Sequence, residues 1–126
     1  MVPHLRVLIV EDSTFFREMF KGVLHSRFPS IEIDGAADPA EALQKSETLL
    51  PALIFIDVEL PGENGFKLAE KIKAQHPSAT IVILTAHDLP EYRDAALQQG
   101  YYFLSKGSST RNEIFRLVES VLSSRG

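Results

Sequence analysis

The sequence ALIFID, residues 52–57, places five consecutive apolar residues directly before an aspartate. An apolar run of strand length that does not alternate with polar residues is typical of a strand buried on both faces of a parallel sheet. Two further runs, residues 5–10 and 81–84, are nearly unbroken in the same way. These three runs predict the centre of a parallel sheet that helices cover on both sides.

Two shorter apolar stretches, residues 31–37 and 101–104, complete a set of five predicted strands. Segments with helical spacing follow the strands, and the clearest of them carry apolar stripes. The stripes are Phe15, Phe16, Met19, Phe20, Val23 and Leu24 in the first helix, and Ile114, Phe115, Leu117, Val118, Val121 and Leu122 in the last. A strand followed by a helix, five times over, predicts a doubly wound α/β domain.

Helix start signals support this assignment at two further places. Asp38 is a capping residue followed by a proline, and Glu41 stands three residues after it. Thr110 and Glu113 repeat this capping-box spacing before the last helix. The helix expected within residues 89–99 has the weakest apolar pattern of the five.

Composition restricts both the size and the function of the chain. With 126 residues, 44% of them hydrophobic, the chain predicts one domain of ordinary size. The formal charge of -4, from 13 basic and 17 acidic residues, argues against direct binding of nucleic acid. Absence of cysteine excludes disulfides, thiolate metal sites and cysteine nucleophiles. No signal pattern or apolar run long enough to cross a bilayer is present, so we expect a soluble, cytoplasmic protein without membrane contact.

Polar residues capable of chemistry follow four of the predicted strands. Glu11 and Asp12 follow the first, Asp57 ends the third, Thr85 ends the fourth, and Lys106 follows the fifth. Ligands of open α/β sheets bind at the carboxyl ends of the strands, so these side chains are expected to converge there. The opposite ends of the strands carry no comparable set.

Three carboxylates without thiolates or clustered histidines form an oxygen-only site, which suits Mg²⁺. A carboxylate beside Mg²⁺, faced by a hydroxyl and an ammonium group, is equipped for in-line phosphoryl transfer. The sequence therefore predicts a phosphoryl-transfer site in which Asp57 is the nucleophile.

Four motifs resemble the receiver-domain family of two-component response regulators. They are VLIVEDS at residues 7–13, FIDVELPGENG at residues 55–65, VILTA at residues 82–86, and Lys106. The resemblance implies a flavodoxin-like fold, with five parallel strands in the order 2-1-3-4-5 and five flanking helices. It also implies that residues 1–126 form a single receiver domain, and it leaves open an output domain beyond Gly126.

The family roles carry over to matching positions. Asp57 is expected to accept a phosphoryl group from a sensor histidine kinase, a phosphotransfer protein or a small acyl phosphate. Asp12 and Asp57 are expected to ligate Mg²⁺ directly, with the backbone carbonyl of Glu59 as a third ligand and Glu11 acting through water. Such a domain is a regulatory phosphoacceptor, with at most slow self-phosphorylation and self-dephosphorylation.

The resemblance also implies a switch. Lys106 is expected to pair with the phosphoryl oxygens, while Thr85 bonds one of them and draws its loop inward. Phe103, three residues before Lys106, stands at the aromatic position that follows this movement. The expected result is a repacked face of the fourth helix, fifth strand and fifth helix, which changes the output or homodimer contacts. Phe103 as simple core is an equally supported alternative.

Several alternatives remain open from the sequence. Glu11 and Asp12 are also compatible with a solvated turn in which Asp12 caps the next helix. Glu59, two residues after Asp57, is where an aspartate-nucleophile phosphohydrolase places a general acid. A segment from Gly100 to Lys106 one residue shorter than the usual family spacing is compatible with an interaction module that lost phosphorylation. His87 is predicted to be exposed, with a place at the mouth of the site as the alternative.

Overall fold

The computed structural model describes residues 5–125 of the chain, with the side chain of residue 125 excluded. Residues 1–4 and 126, which the predicted domain boundaries include, lie outside the described residues. The elements alternate as β1 (Arg6–Val10), α1 (Thr14–Arg27), β2 (Glu32–Ala36), α2 (Pro39–Leu49), β3 (Leu53–Asp57), α3 (Gly65–Gln75), β4 (Thr80–Thr85), α4 (Pro90–Gln98), β5 (Tyr102–Ser105) and α5 (Arg111–Arg125).

The five strands form one sheet in the order β2-β1-β3-β4-β5, and every pairing is parallel. The predicted fold class and strand order are confirmed. Each observed strand lies within a residue or two of its predicted range. The unbroken apolar runs form the central strands β1, β3 and β4, and all five residues of β3 are buried.

The strands formed by unbroken apolar runs contribute side chains to two cores, because successive residues of a strand point to opposite faces of the sheet. Ile54 and Ile56 face a cluster that includes Leu68 and Ile72 of α3. Phe55 faces the other cluster, which is built with α1 and α5. Helices therefore cover both faces of the sheet, which is why these strands contain no polar alternation.

The predicted helix starts are confirmed in their hydrogen bonds. The carboxylate of Asp38 accepts from the amide of Glu41 at 2.9 Å. Thr110 and Glu113 form a reciprocal capping box, in which each side chain accepts from the other residue's amide, at 3.1 and 3.4 Å. The alternative in which Asp12 caps the first helix is wrong, since Ser13 occupies the N-cap and accepts from Phe16.

The helix with the weakest apolar pattern is present as α4, with Ala96 as its one buried residue. Gly100 follows it with a φ of 78°, a value that favours glycine. The short segment after this glycine does not displace Lys106, because its amide donates to the carbonyl of Thr85 at 2.8 Å and extends the β4–β5 ladder. Within residues 5–125, no helix combines the length and the hydropathy needed to cross a bilayer.

Candidate functional site

The site lies at the carboxyl edge of the sheet, where β1, β3, β4 and β5 end side by side. Glu11, Asp57 and Thr85 are only 1%, 4% and 0% exposed, which makes them three of the five buried polar or charged residues in the described chain. Asp12 is exposed beside them. The fold thus brings together the acids and the hydroxyl that the sequence singles out.

Lys106 supplies the positive charge of the site. Its Nζ donates to Oδ2 of Asp57 at 3.0 Å and also to Oε1 of Glu11. Burial lowers the pKa of the Lys106 ammonium. Because the group contacts two carboxylates, it offsets part of the negative charge buried at this edge.

Asp57 lies in an environment that opposes its ionisation. Burial raises its pKa to about 6, and the amide of Glu59, 3.2 Å from Oδ1, pulls in the opposite direction. The charges of Glu59 and Asp12 raise the pKa further, while His87 lowers it. A cation placed among these acids would therefore stabilise the ionised carboxylate.

Three carboxylates have the spacing of a metal site. One oxygen each from Glu11, Asp12 and Asp57 lies within 4.8 Å of the other two. Hard oxygen donors of this kind suit Mg²⁺, which binds few protein carboxylates and keeps several waters. The donor set and the raised pKa of Asp57 both fit a divalent cation at this position.

Two hydrogen bonds hold Glu11 in place in addition to its contact with Lys106. The amide of Ser13 donates to its Oε2 at 2.9 Å. The guanidinium of Arg17 donates to its backbone carbonyl. The turn after β1 therefore holds this buried acid in one orientation, facing Asp57 and Lys106.

Thr85 is engaged within its own loop. Its hydroxyl donates to the carbonyl of His87 at 3.0 Å and accepts from the amide of the same residue, also at 3.0 Å. His87 is exposed as predicted. Its Nδ1 lies 2.5 Å from Oε1 of Glu59, so the loops after β3 and β4 meet at the mouth of the site.

The start of α3 approaches the end of β3 with no room for a side chain. A Cβ atom at Gly65 would lie 2.1 Å from the carbonyl oxygen of Asp57. The amide of Gly65 donates to the carbonyl of Val58 at 2.8 Å, and Glu59 and Asn64 form an antiparallel bridge. Asp57 thus lies on a strand end held directly against a helix.

Besides Arg17, sequence reasoning missed two residues that contact the site residues. The ring of Phe16 lies under Lys106, whose Nζ is 4.5 Å from the ring centroid. The guanidinium of Arg93 lies 4.7 Å from the ring centroid of Phe103. The sequence places Phe16 in the apolar stripe of α1, and its position shortly after Glu11 was the available signal. An exposed arginine in a helix with a weak apolar pattern gave no signal.

Comparison with known proteins places this geometry in context. A family model described as the response regulator receiver domain matches residues 7–119. Protein-glutamate methylesterase/protein-glutamine glutaminase 1 of Cereibacter sphaeroides is 34% identical over 122 residues, which cover 94% of this chain and 32% of that protein. The transcriptional regulatory protein MctR of Rhizobium johnstonii is 30% identical over 94% of this chain and 56% of its own length. The chain thus spans about a third and about half of these two relatives.

Solved structures show the same arrangement. A CheY-like receiver domain protein from Methanospirillum hungatei superimposes with a TM-score of 0.85 and 25% identity, covering 97% of this chain and 96% of that chain. A LuxR-family two-component response regulator from Aurantimonas gives a TM-score of 0.86 and 26% identity, over 97% of this chain and 87% of that one.

Proposed function

The chain belongs to the response regulator receiver domain family, so it is a regulatory domain of two-component signalling, and we propose that Asp57 is its phosphoryl acceptor. One observation carries this assignment. Asp57 ends the central strand β3, is 4% exposed, and has Lys106 3.0 Å from its Oδ2. Asp57 combines a place at the end of a central strand, the Lys106 contact and a raised pKa.

The transfer is a displacement at phosphorus. An oxygen of the Asp57 carboxylate attacks a phosphohistidine of a sensor histidine kinase or a phosphotransfer protein, or a small acyl phosphate. The bond to the donor nitrogen or oxygen breaks as the acyl phosphate on Asp57 forms, and the donor leaves with the bonding electron pair. Lys106 neutralises charge on the transferred oxygens.

Magnesium completes the site in this proposal. Asp12 and Asp57 would hold the ion directly, with the backbone carbonyl of Glu59 and, through water, Glu11. The ion supplies charge neutralisation at the phosphoryl oxygens. The three carboxylates within 4.8 Å of one another support the assignment.

The response follows from the present hydrogen bonds of Thr85. Its hydroxyl is satisfied by His87 in the unphosphorylated chain, so bonding a phosphoryl oxygen requires it to exchange partners. The loop after β4 then moves, Phe103 follows, and the face formed by α4, β5 and α5 repacks. This face is where we place the contacts of an output domain or of a homodimer formed on phosphorylation, with residues 1–126 acting as one receiver domain.

Incubation with acetyl phosphate and Mg²⁺, followed by intact-mass measurement, tests the acceptor. One phosphoryl group should be added to the native chain and none to Asp57→Asn. Asp34→Asn is the matched control, because Asp34 lies on the edge strand β2 outside the site. Labelling that persists in Asp57→Asn would refute the assignment.

The phosphohydrolase alternative has its own test. Steady turnover of a phosphomonoester that Glu59→Gln abolishes would establish an enzyme with Glu59 as general acid. We expect no such turnover, because Glu59 is exposed and paired with His87 at the mouth of the site.

A further inference from the structure

Arg93 of α4 connects two parts of the proposed switch. Its guanidinium carbon lies 4.7 Å from the ring centroid of Phe103 on β5. The same guanidinium donates to both carboxylate oxygens of Asp88, at 3.0 and 3.2 Å. Asp88 belongs to the loop between β4 and α4, so one side chain contacts both the loop and the aromatic ring.

The loop that carries Asp88 is held by Thr85. The two hydrogen bonds between the Thr85 hydroxyl and the backbone of His87 fix the residue directly before Asp88. If the Thr85 hydroxyl donates to a phosphoryl oxygen instead, its hydrogen bond to the carbonyl of His87 is lost. The segment that carries Asp88, and with it the carboxylate that anchors Arg93, is then free to change position.

Phe103 has space to move when that anchor is released. It is half-buried, pairs with Ile83 of β4, and packs against the core cluster that includes α3. An open groove of about 400 Å³ lies beside it, lined by Arg93, Leu97, Gly100, Tyr101, Tyr102 and Phe103 itself. The guanidinium of Arg93 stacks on the ring and also lines this groove, so its release enlarges the space beside Phe103.

We propose that Arg93 is a positioning residue that holds Phe103 in its unphosphorylated orientation and ties its release to the Asp88 loop. This inference rests on the proposed phosphoacceptor function and adds a part of the coupling. Arg93 suits the role because its planar guanidinium can stack on a ring and bind a carboxylate with two hydrogen bonds at the same time.

Linkage gives the direction of the effect. The Arg93 contacts belong to the unphosphorylated arrangement. A ligand that favours the phosphorylated arrangement must therefore break these contacts, and their free energy weakens its binding. Removing them should therefore tighten binding of a phosphoryl mimic. For a cation–ring contact at a partly exposed site, we expect about a two- to five-fold effect.

The test titrates the chain with beryllofluoride and Mg²⁺, following backbone amide NMR signals to obtain the half-saturating concentration. Arg93→Gln should lower that concentration about two- to five-fold relative to the native chain. Arg27→Gln is the matched control, because Arg27 also stacks on a ring (Phe28, 5.3 Å) and pairs with a carboxylate (Glu119, 2.9 Å), but joins α1 to α5. This control should leave the half-saturating concentration unchanged.

Asp88→Asn gives a second measure on the same pathway. It should produce part of the effect of Arg93→Gln, and adding it to Arg93→Gln should produce no further tightening. Unchanged or weaker binding in Arg93→Gln, or an equal effect of Arg27→Gln, would overturn the proposal. Failure of the native chain to bind, or binding that survives Asp57→Asn, would instead refute the phosphoacceptor function.

Discussion

The ammonium nitrogen of Lys106 lies 3.0 Å from the carboxylate of Asp57, although 49 residues separate the two in sequence. Strand pairing produces this contact, because β3 and β5 flank β4 and end at the same edge of the sheet. In the unphosphorylated chain the ammonium is shared with Glu11. The site therefore holds a positive group at the Asp57 carboxylate, where the proposed transfer requires one.

The raised pKa of Asp57 predicts how metal-free stability depends on pH. Since burial raises this pKa to about 6, the unfolded chain ionises first as pH rises. Stability contributed by this group is present below about pH 4 and is lost as pH rises toward 6. Asp57→Asn removes that loss, so it should stabilise the chelator-treated protein at pH 7.5 by about 2–3 kcal/mol in urea unfolding.

Asp34 provides the contrast for this measurement. Burial tends to raise its pKa, but the amide of Gly35 and the ammonium of Lys45 outweigh that effect and lower it. Its contribution is present above the unfolded pKa and is lost as pH falls, so Asp34→Asn should lower stability at pH 7.5. Stabilisation by both substitutions, or by neither, would contradict the electrostatic account of Asp57.

Removal of divalent cations should stop transfer without unfolding the domain. Both faces of the sheet are covered by apolar clusters that need no ion, so we expect the fold to persist when the ion is removed. Excess chelator should abolish acetyl phosphate labelling and lower the unfolding midpoint by about 5 °C or less, measured by circular dichroism. A much larger drop would indicate a structural metal.

Substitution of Thr85 should separate phosphorylation from the conformational response. Thr85→Ala keeps Asp57, Lys106 and the acids, so labelling by acetyl phosphate should persist. Because the chain contains no tryptophan, Phe103→Trp provides a single fluorescent reporter. The emission change on phosphorylation should be lost in Thr85→Ala and kept in Thr80→Ala, at the opposite end of β4. An unaltered emission change in Thr85→Ala would remove this residue from the switch.

Two glycine substitutions should have opposite effects on stability. A Cβ at Gly65 would lie 2.1 Å from the carbonyl oxygen of Asp57, so Gly65→Ala should cost about 2–3 kcal/mol as the backbone shifts. Gly22 lies within α1, and a methyl group added there would meet no atom within 4 Å, so Gly22→Ala should gain about 0.5–1 kcal/mol. Urea unfolding measures both, and equal effects would contradict the close approach at Gly65.

Periodicity and strand-end chemistry account for most of what the sequence could predict. The unbroken runs of β1, β3 and β4 predict burial on both faces, and two core clusters confirm it. The capping residues Asp38 and Thr110 predict helix starts because their hydrogen bonds are local. The acids follow strands β1 and β3 in the sequence. Because the carboxyl ends of parallel strands lie at one edge of the sheet, the acids meet there.

Contacts that depend on loop conformation could not be predicted in this way. The sharing of Lys106 between Glu11 and Asp57 requires the connection after β5 to follow a particular path. The stacking of Arg93 on Phe103 joins a helix face to a strand edge, and no sequence pattern encodes their separation. Pairing of Glu59 with His87 likewise depends on two loops meeting.

Because Gly65 has no side chain, α3 packs directly on the end of β3, and this part of the site is more tightly held than the part that contains Thr85 and Lys106. Backbone packed directly on backbone leaves the end of β3 no room to shift, whereas the Thr85 hydroxyl and the Lys106 ammonium are held by side-chain hydrogen bonds that can be exchanged. Under the proposed function, substitutions around Thr85 and Lys106 can therefore alter the lifetime or the strength of a signal while the position of Asp57 stays fixed.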